Sequence, residues 1–347
     1  MDLFITGAGW ITPLGESLGT VWDAILAGTP APARELPGPP GGKPHFAATI
    51  PPSLVDSVAR NPRLRRSSNI SLFAASAALS ALRAAGLDPA KPGKLALISA
   101  VCDGGVIYTR KFYDQIVRQG SGSPLLFPET VYNAPASHVA ALLGLDGITY
   151  TLVGDASAAL AATAVGIDLL TSRQADHCLI LAAQETDWIL CEAYCHWRLS
   201  TPGQSISIGS NRGALIADGA AAIVLSREKS PCRLHAVTDG VPFFRQSEAS
   251  ASLASALRTL PASVPSRVIA SANGSFTDHA ERTATENAYG PLPTVFPKIS
   301  LGDAFGAGAL MQIICAMESL RRDPSGTILV PVIGLNHQAA AALVSPI

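Results

Sequence analysis

Apolar residues in this chain come in near-continuous runs bounded by Gly, Pro, Asp and Ser, a pattern of elements buried on more than one side. The opening reads as a strand, Leu3 to Thr6, then a turn "GAGWITPLG" and an amphipathic helix over Leu18 to Leu26. "TPAPARELPGPPGGKPH" (29–45) reads as a Pro/Gly-rich surface loop without chemistry. "SLFAASAALSALRAAGL" (71–87) is apolar all round and predicts a buried helix. Strand "KLALISAV", helix "SHVAALLG", strand "GITYTLV" and the apolar helix "SAALAATAVGIDLLTS" follow, then "HCLILAAQE" and "GALIADGAAAIVLS" as central strands. After Lys229 the pattern restarts with strand "RLHAVTDG", a helix over 249–260, strand "RVIASANG", helices over 279–287 and 306–320, and strand "TILVPVI". Strands alternating with helices, twice over, predict α/β layers around buried sheets. The repetition predicts a duplicated fold with its site between the halves, divided at 1–228 and 229–347 within one two-lobed unit.

Composition sharpens this. Of 347 residues 48% are apolar and only 15% charged, so much of the surface is expected to be buried, including against another subunit. A net charge of −1 gives no reason to expect nucleic acid or an anionic membrane as partner. No apolar run reaches the roughly 18–20 residues that span a bilayer, and "MDLFITGAGW" has neither a basic n-region nor a small-residue cleavage site. The six cysteines (102, 178, 191, 195, 232 and 315) stand scattered in apolar context, which suits free thiols in a reducing cytoplasm.

Candidate chemistry is sparse. "TGAG" before a helix lacks the full GxGxxG fingerprint and its downstream acid, so it reads as a tight turn and no cofactor is expected. Cys191-x3-Cys195-His196 has no second pair to complete four metal ligands and reads as core or interface cysteines. Cys102-Asp103-Gly104-Gly105 follows a strand and could carry a thiol. "TLVGDASAAL" (151–160) is a strand-to-helix elbow, a place where a helix N-terminus stabilises a thiolate or oxyanion. Ala156 stands at its tip. Asp155 or Ser157 is expected to cap the helix that follows.

"NAPASHVAALLGLDGITYTLVGDAS" resembles the β-ketoacyl synthases of fatty acid and polyketide synthesis. Asn133, His138, Gly144 and Gly147 fall in register with that family without a gap to Ala156, where the family has its nucleophilic cysteine. Further resemblances follow in order: "ITGAGWITPLG"; "AAQE", ending in Glu185; "NRGALIADGAAAIVL" with Gly213 and Gly219; "SANGSFTDHAE" with Ala272, Gly274 and Thr277; "KISLGDAFGAGAL" with Lys298, Gly302 and Gly306; and "VIGLNHQAAAALV" with Gly334. The resemblance covers nearly the whole chain and implies a thiolase-like fold of two α-β-α-β-α layered halves. In the family the cysteine takes the acyl group from a thioester, and two histidines stabilise the oxyanion while malonyl thioester is decarboxylated. Here those histidine positions hold Asn273 and Asp303.

All three catalytic side chains are thus replaced. Ala156 forms no thioester, Asn273 has no titratable proton near neutrality, and Asp303 would repel an enolate unless paired, the candidate partner being Lys298. The closing loop has Leu335 for the family's gating Phe and Asn336 and His337 for two glycines, so it is expected to dispense with unusual backbone angles. Asp155, Ser157, Lys298 and Leu335 are the residues expected at any remaining pocket. Ser157 would need a base and an orienting acid; neither His138, His279 nor His337 sits in a motif that provides them. Glu185 reads as a buried hydrogen-bonding carboxylate. The resemblance is closest to the chain length factors of type II polyketide and aryl polyene systems, inactive homologues that pair with an active ketosynthase. It implies a heterodimer formed across the Ile148–Val153 strand, an acyl tunnel shaped at that interface, and acyl carrier protein as a further contact. The alternative is a thiolase-fold acyltransferase or hydrolase working through Ser157 or Cys102.

Overall fold

Strands that read as unbroken apolar runs need cover on both faces, and the architecture supplies it. The computed structural model describes residues 2–38 and 41–347. The first half contains β1 (Leu3–Ile11), α1 (Leu18–Leu26), β2 (Ala33–Leu36), β3 (His45–Ala48), α2 (Asp56–Ala59), α3 (Asn69–Ala84) and β4 (Leu95–Val101). It continues through α4 (Val106–Gln119), α5 (Ala134–Leu143), β5 (Thr149–Val153), α6 (Ala158–Thr171), β6 (His177–Gln184), α7 (Trp188–His196) and β7 (Gly219–Ser226). The second contains β8 (Cys232–Val237), β9 (Val241–Pro242), α8 (Ala249–Leu257), β10 (Arg267–Ile269), α9 (Phe276–Tyr289) and β11 (Thr294–Val295). It ends with α10 (Pro297–Leu301), α11 (Gly306–Arg322), β12 (Ile328–Ile333) and β13 (Gln338–Pro346).

The strand order shows the duplication. Across the first half it is β5-β4-β6-β7-β1, and across the second β11-β10-β12-β13-β8. Counted in chain order, both read third, second, fourth, fifth, first, with β9 added at β13. Directions match too: β4 runs parallel to β5 and β6 as β10 does to β11 and β12, and the last pairings of each half are antiparallel. The halves join where Leu3 and Phe4 pair with Leu234 and Arg233. Helices α6 and α11 lie between the sheets, touching strands of both, while α3 with α5 covers one outer face and α8 with α9 the other. This is the α-β-α-β-α layering expected. The middle helix α11 accordingly buries residues on every side, Gly306 to Leu320 nearly without break.

The structure corrects several boundaries. The strand expected to stop at Thr6 runs to Ile11, because "GAG" is not a turn. A Cβ on Gly9 would lie 2.6 Å from Ala77 O and Ala81 N of α3, so glycine here permits a close helix-on-strand contact. Within the 29–45 segment, β2 pairs with β3 through Ala33↔Ala48 to Leu36↔His45, so this part is a hairpin; Pro39 and Pro40 lie outside the described residues, as does Met1. The strand read from Gly213 becomes regular only at Gly219; before it, Ala214, Ile216 and Ala217 make isolated bridges. "RVIASANG" is strand only to Ile269, the rest turning into the site. Helices α4 and α7 carry no uniform apolar run, and the sequence pattern does not reveal them. No helix of the described residues is long and apolar enough to cross a membrane.

Two buried carboxylates tie these layers together. Glu185, at the end of β6, accepts the N–H of Ile70 at 3.0 Å and of Ile107 at 2.9 Å, the first turns of α3 and α4. Asp218, before β7, accepts from Ile50 N, Thr186 N and Thr186 Oγ1 at 2.7–3.0 Å. Burial outweighs these donors and pushes Glu185 up to about 7 and Asp218 up to about 6. Both folded values exceed the unfolded ones, so folding takes up protons. Their stabilisation is fully present below the unfolded carboxylate range and is lost as the pH climbs through 6 to 7. Denaturant midpoints should therefore fall between pH 5 and pH 8, and Glu185→Gln should flatten part of that slope. A midpoint that rises over this range contradicts the assignment.

Candidate functional site

The elbow between β5 and α6 is built around Asp155. Its Oδ1 accepts the backbone N–H of Ser157 at 3.0 Å and faces Ser157 Oγ at 2.8 Å, while Oδ2 accepts from Gln338 N at 3.2 Å. Asp155, not Ser157, is therefore the acceptor at the helix N-terminus; Ser157 is the N-cap residue by position but makes no side-chain cap bond. Ser157 Oγ also lies 2.6 Å from Gln338 Oε1. One hydroxyl proton faces two acceptors, and turning the Gln338 amide over would supply the missing donor. Burial raises the Asp155 carboxyl, against the Ser157 donors that lower it. Ala156 is itself buried in the core among the residues of α6 and α11.

No imidazole reaches Ser157. His138, on α5, is 2.6 Å from Glu129. His337 stacks on Phe243, ring centroids 5.1 Å apart, and His279 stands exposed on α9. Among the described residues the side chains that meet Ser157 Oγ are Asp155 and Gln338, with no imidazole as in a serine hydrolase triad.

Asn273, Asp303 and Lys298 do come together. Asn273 Nδ2 donates to Asp303 Oδ2 at 2.6 Å, and Lys298 Nζ reaches the same oxygen at 3.0 Å. The other carboxylate oxygen accepts the N–H of Phe305 at 3.0 Å. Asn273 Oδ1 in turn accepts from Ser275 N, Ser275 Oγ and Thr277 Oγ1, and Asp278 takes the N–H groups of Asn273, Gly274 and Gly209. The side chains of the cluster are buried, Asn273 at 0%, Asp303 at 2% and Lys298 at 3% exposure. One N–H of the amide is thus committed to the Asp303 carboxylate.

Phe305 opens α11 with φ of +48°, a conformation costly for a bulky residue and held here by the Asp303 bond and by packing. Its ring lies 5.0 Å from that of Tyr194, and Leu335 is buried in the same cluster with Leu199 and Ile216. The closing loop does not dispense with unusual backbone angles: His337 sits at φ +78°, steadied by its stacking and by its carbonyl accepting from Phe243 N. Gly334 is required, because a Cβ there would collide with the Asp155 carboxylate.

The remaining candidates fall away from chemistry. Burial and the nearby Asp103 and Asp155 push the Cys102 thiol far up, so it is no thiolate; Asn336 Nδ2 faces its sulfur at 3.7 Å and donates to Tyr194 Oη at 3.1 Å. Cys191 is buried with its thiol pushed up to about 12. No group of three or more His, Cys, Asp or Glu side chains is placed to hold a metal ion among the described residues. Gln338, Asp278 and Phe305 shape the site and were not singled out from the sequence. Only Gln338 left a trace there, as the last polar residue before the run "AAAALV". The cavities of about 510, 480 and 600 Å³ are lined by other residues than Ala156, Asn273, Asp303 or Leu335.

The fold has relatives. The family model for the beta-ketoacyl synthase N-terminal domain matches residues 2–230. No curated protein matches the chain. A beta-ketoacyl synthase from Burkholderia phymatum superposes with a TM-score of 0.86 at 16% identity, over 100% of this chain and 99% of that one. The ishigamide ketosynthase/chain length factor gives 0.81 at 17%, over 100% of both. The ketosynthase ApeO in complex with its chain length factor ApeC, from Xenorhabdus doucetiae, gives 0.81 at 15%, over 100% of this chain and 98% of that one. At such identities the superpositions speak to the fold, and it is the family model, spanning about two-thirds of the residues, that places the chain in the β-ketoacyl synthase family.

Proposed function

We propose that this chain is a catalytically inactive ketosynthase homologue of the chain length factor kind. It pairs with an active β-ketoacyl synthase in the cytoplasm, shapes the acyl tunnel at their interface, and serves type II polyketide, polyene or fatty acid biosynthesis, with acyl carrier protein as a further contact. Its two halves, 1–228 and 229–347, act as one unit. The observation that carries this reading is the cluster of Asn273, Lys298 and Asp303 beside an elbow whose tip is Ala156. Condensation needs a thiolate and neutral donors aimed at developing negative charge. The chain places a methyl group at the first position and a carboxylate held by lysine at the last.

The sheet edge supports the same reading. Strand β5 has one neighbour, β4, and exposes Tyr150 (51%) and Val153 (55%). Helix α4 buries none of its side chains, and Tyr113 and Val117 on it are exposed. An unpaired strand flanked by exposed apolar side chains is a surface made for a partner. The ApeO–ApeC complex, whose fold this chain shares, joins two such proteins.

Co-expression with a cognate ketosynthase should yield a 1:1 complex on size exclusion, and Tyr150→Asp with Val153→Asp should dissociate it while leaving the circular dichroism unchanged. A stable homodimer that takes up label from an acyl thioester would refute the proposal and favour chemistry at Ser157. The ion pair gives a second expectation. Lys298→Met should cost about 3–5 kcal/mol in denaturant unfolding, the cost of leaving a buried carboxylate alone. Adding Asp303→Asn should restore much of that loss, because the uncompensated charge goes with it.

A further inference from the structure

A cavity of about 510 Å³ opens beside α9, away from the elbow. It runs alongside the parallel strands β10 and β11, with Val268 and Thr294 of those strands and Ala272 and Phe296 just beyond them in its wall. The volume is that of a small-molecule site. Val268, Ala272, Leu292 and Phe296 make the wall apolar.

The polar groups inside are unequal. Both oxygens of Asp278 are taken by backbone N–H groups. Thr285 donates its hydroxyl proton to the backbone carbonyls of Glu281 and Arg282. Glu281 is different. Its Oε2 accepts the N–H of Ser271 at 2.8 Å and the Ser271 hydroxyl, but its Oε1 has no hydrogen-bond partner among the described residues. The residue is 4% exposed and forms part of the cavity wall. A carboxylate oxygen left without a protein donor in a cavity wall can accept one from a ligand. Three acids, Asp278, Glu281 and Glu286, stand in the wall against one arginine, Arg282. At the mouth stand His279, Arg282 and Glu286, all exposed.

The geometry points to a binding site for a small molecule with an apolar body and a protonated amine. The ammonium donates to Glu281 Oε1, and the body lies against Leu292 and Phe296. The site is separate from the elbow and independent of whether the chain pairs with a ketosynthase.

An isosteric series tests it on the full chain by calorimetry and thermal shift: 4-phenylbutylamine, 4-phenylbutan-1-ol and 4-phenylbutyrate. The amine should bind saturably and raise Tm, the alcohol should bind more weakly, and the carboxylate should not bind. Glu281→Gln should weaken the amine roughly tenfold or more, the worth of a hydrogen bond to a charged group. Leu292→Trp fills the cavity without touching the Ser271 bonds and should abolish binding even if the glutamine variant folds poorly. Equal or tighter binding of 4-phenylbutyrate, no saturable binding of the amine, or amine affinity unchanged by Leu292→Trp would overturn the assignment.

Discussion

A carboxylate cannot be left alone in an interior where it is 2% exposed, and this requirement organises the candidate site. Asp303 is served on one oxygen by Lys298 and Asn273 and on the other by the Phe305 N–H. Each of those partners is then fixed in turn. Asn273 must turn its amide nitrogen toward Asp303, so its oxygen faces the Ser275–Thr277 donors at the start of α9. Phe305 must keep its N–H on the carboxylate, which holds it at positive φ and aims its ring at Tyr194 and Leu335. A single buried acid thus organises a packed cluster.

The duplication explains why these residues meet at all. In each half the second and third strands are parallel and end at the same level. The third strand of the first half leads to the Asp155-Ala156-Ser157 elbow and α6; the third strand of the second half leads through α10 to Asp303, Phe305 and α11. Likewise Cys102 follows the second strand of one half as Asn273 follows that of the other. Four connections, two from each repeat, converge around the N-termini of the two central helices. That convergence is a property of topology and persists whatever side chains the connections carry.

Much of this was legible in the sequence. Buried strands and central helices announced themselves by length and apolarity, and the gapless register from Asn133 brought the elbow to Ala156. The Lys298–Asp303 pair was readable because five residues of one motif separate the partners. The misreadings have physical causes. Gly7 and Gly9 serve a helix contact that lies some seventy residues away in the chain, so no local pattern could tell them from a turn. Helix α4 buries nothing within the chain and therefore shows no core-facing run. His337 takes a glycine-like backbone angle because a distant ring, Phe243, supports it. Gln338 and Leu335 owe their roles to partners more than a hundred residues away.

The two ends of the long sheet treat their edges differently. At one end β11 has only two residues and offers little backbone to a neighbour. At the other, β5 presents five residues with both Tyr150 and Val153 exposed. Natural sheets blunt such an edge with charge, proline or a bulge, and "TYTLV" contains no charge and no proline. A chain whose interior is packed around Asp303 and Leu335 leaves an apolar strand edge open here. Because β5 also leads directly into the elbow, a strand added there would lie next to Asp155 and Ala156. The exposed edge and the elbow are thus two ends of one short strand.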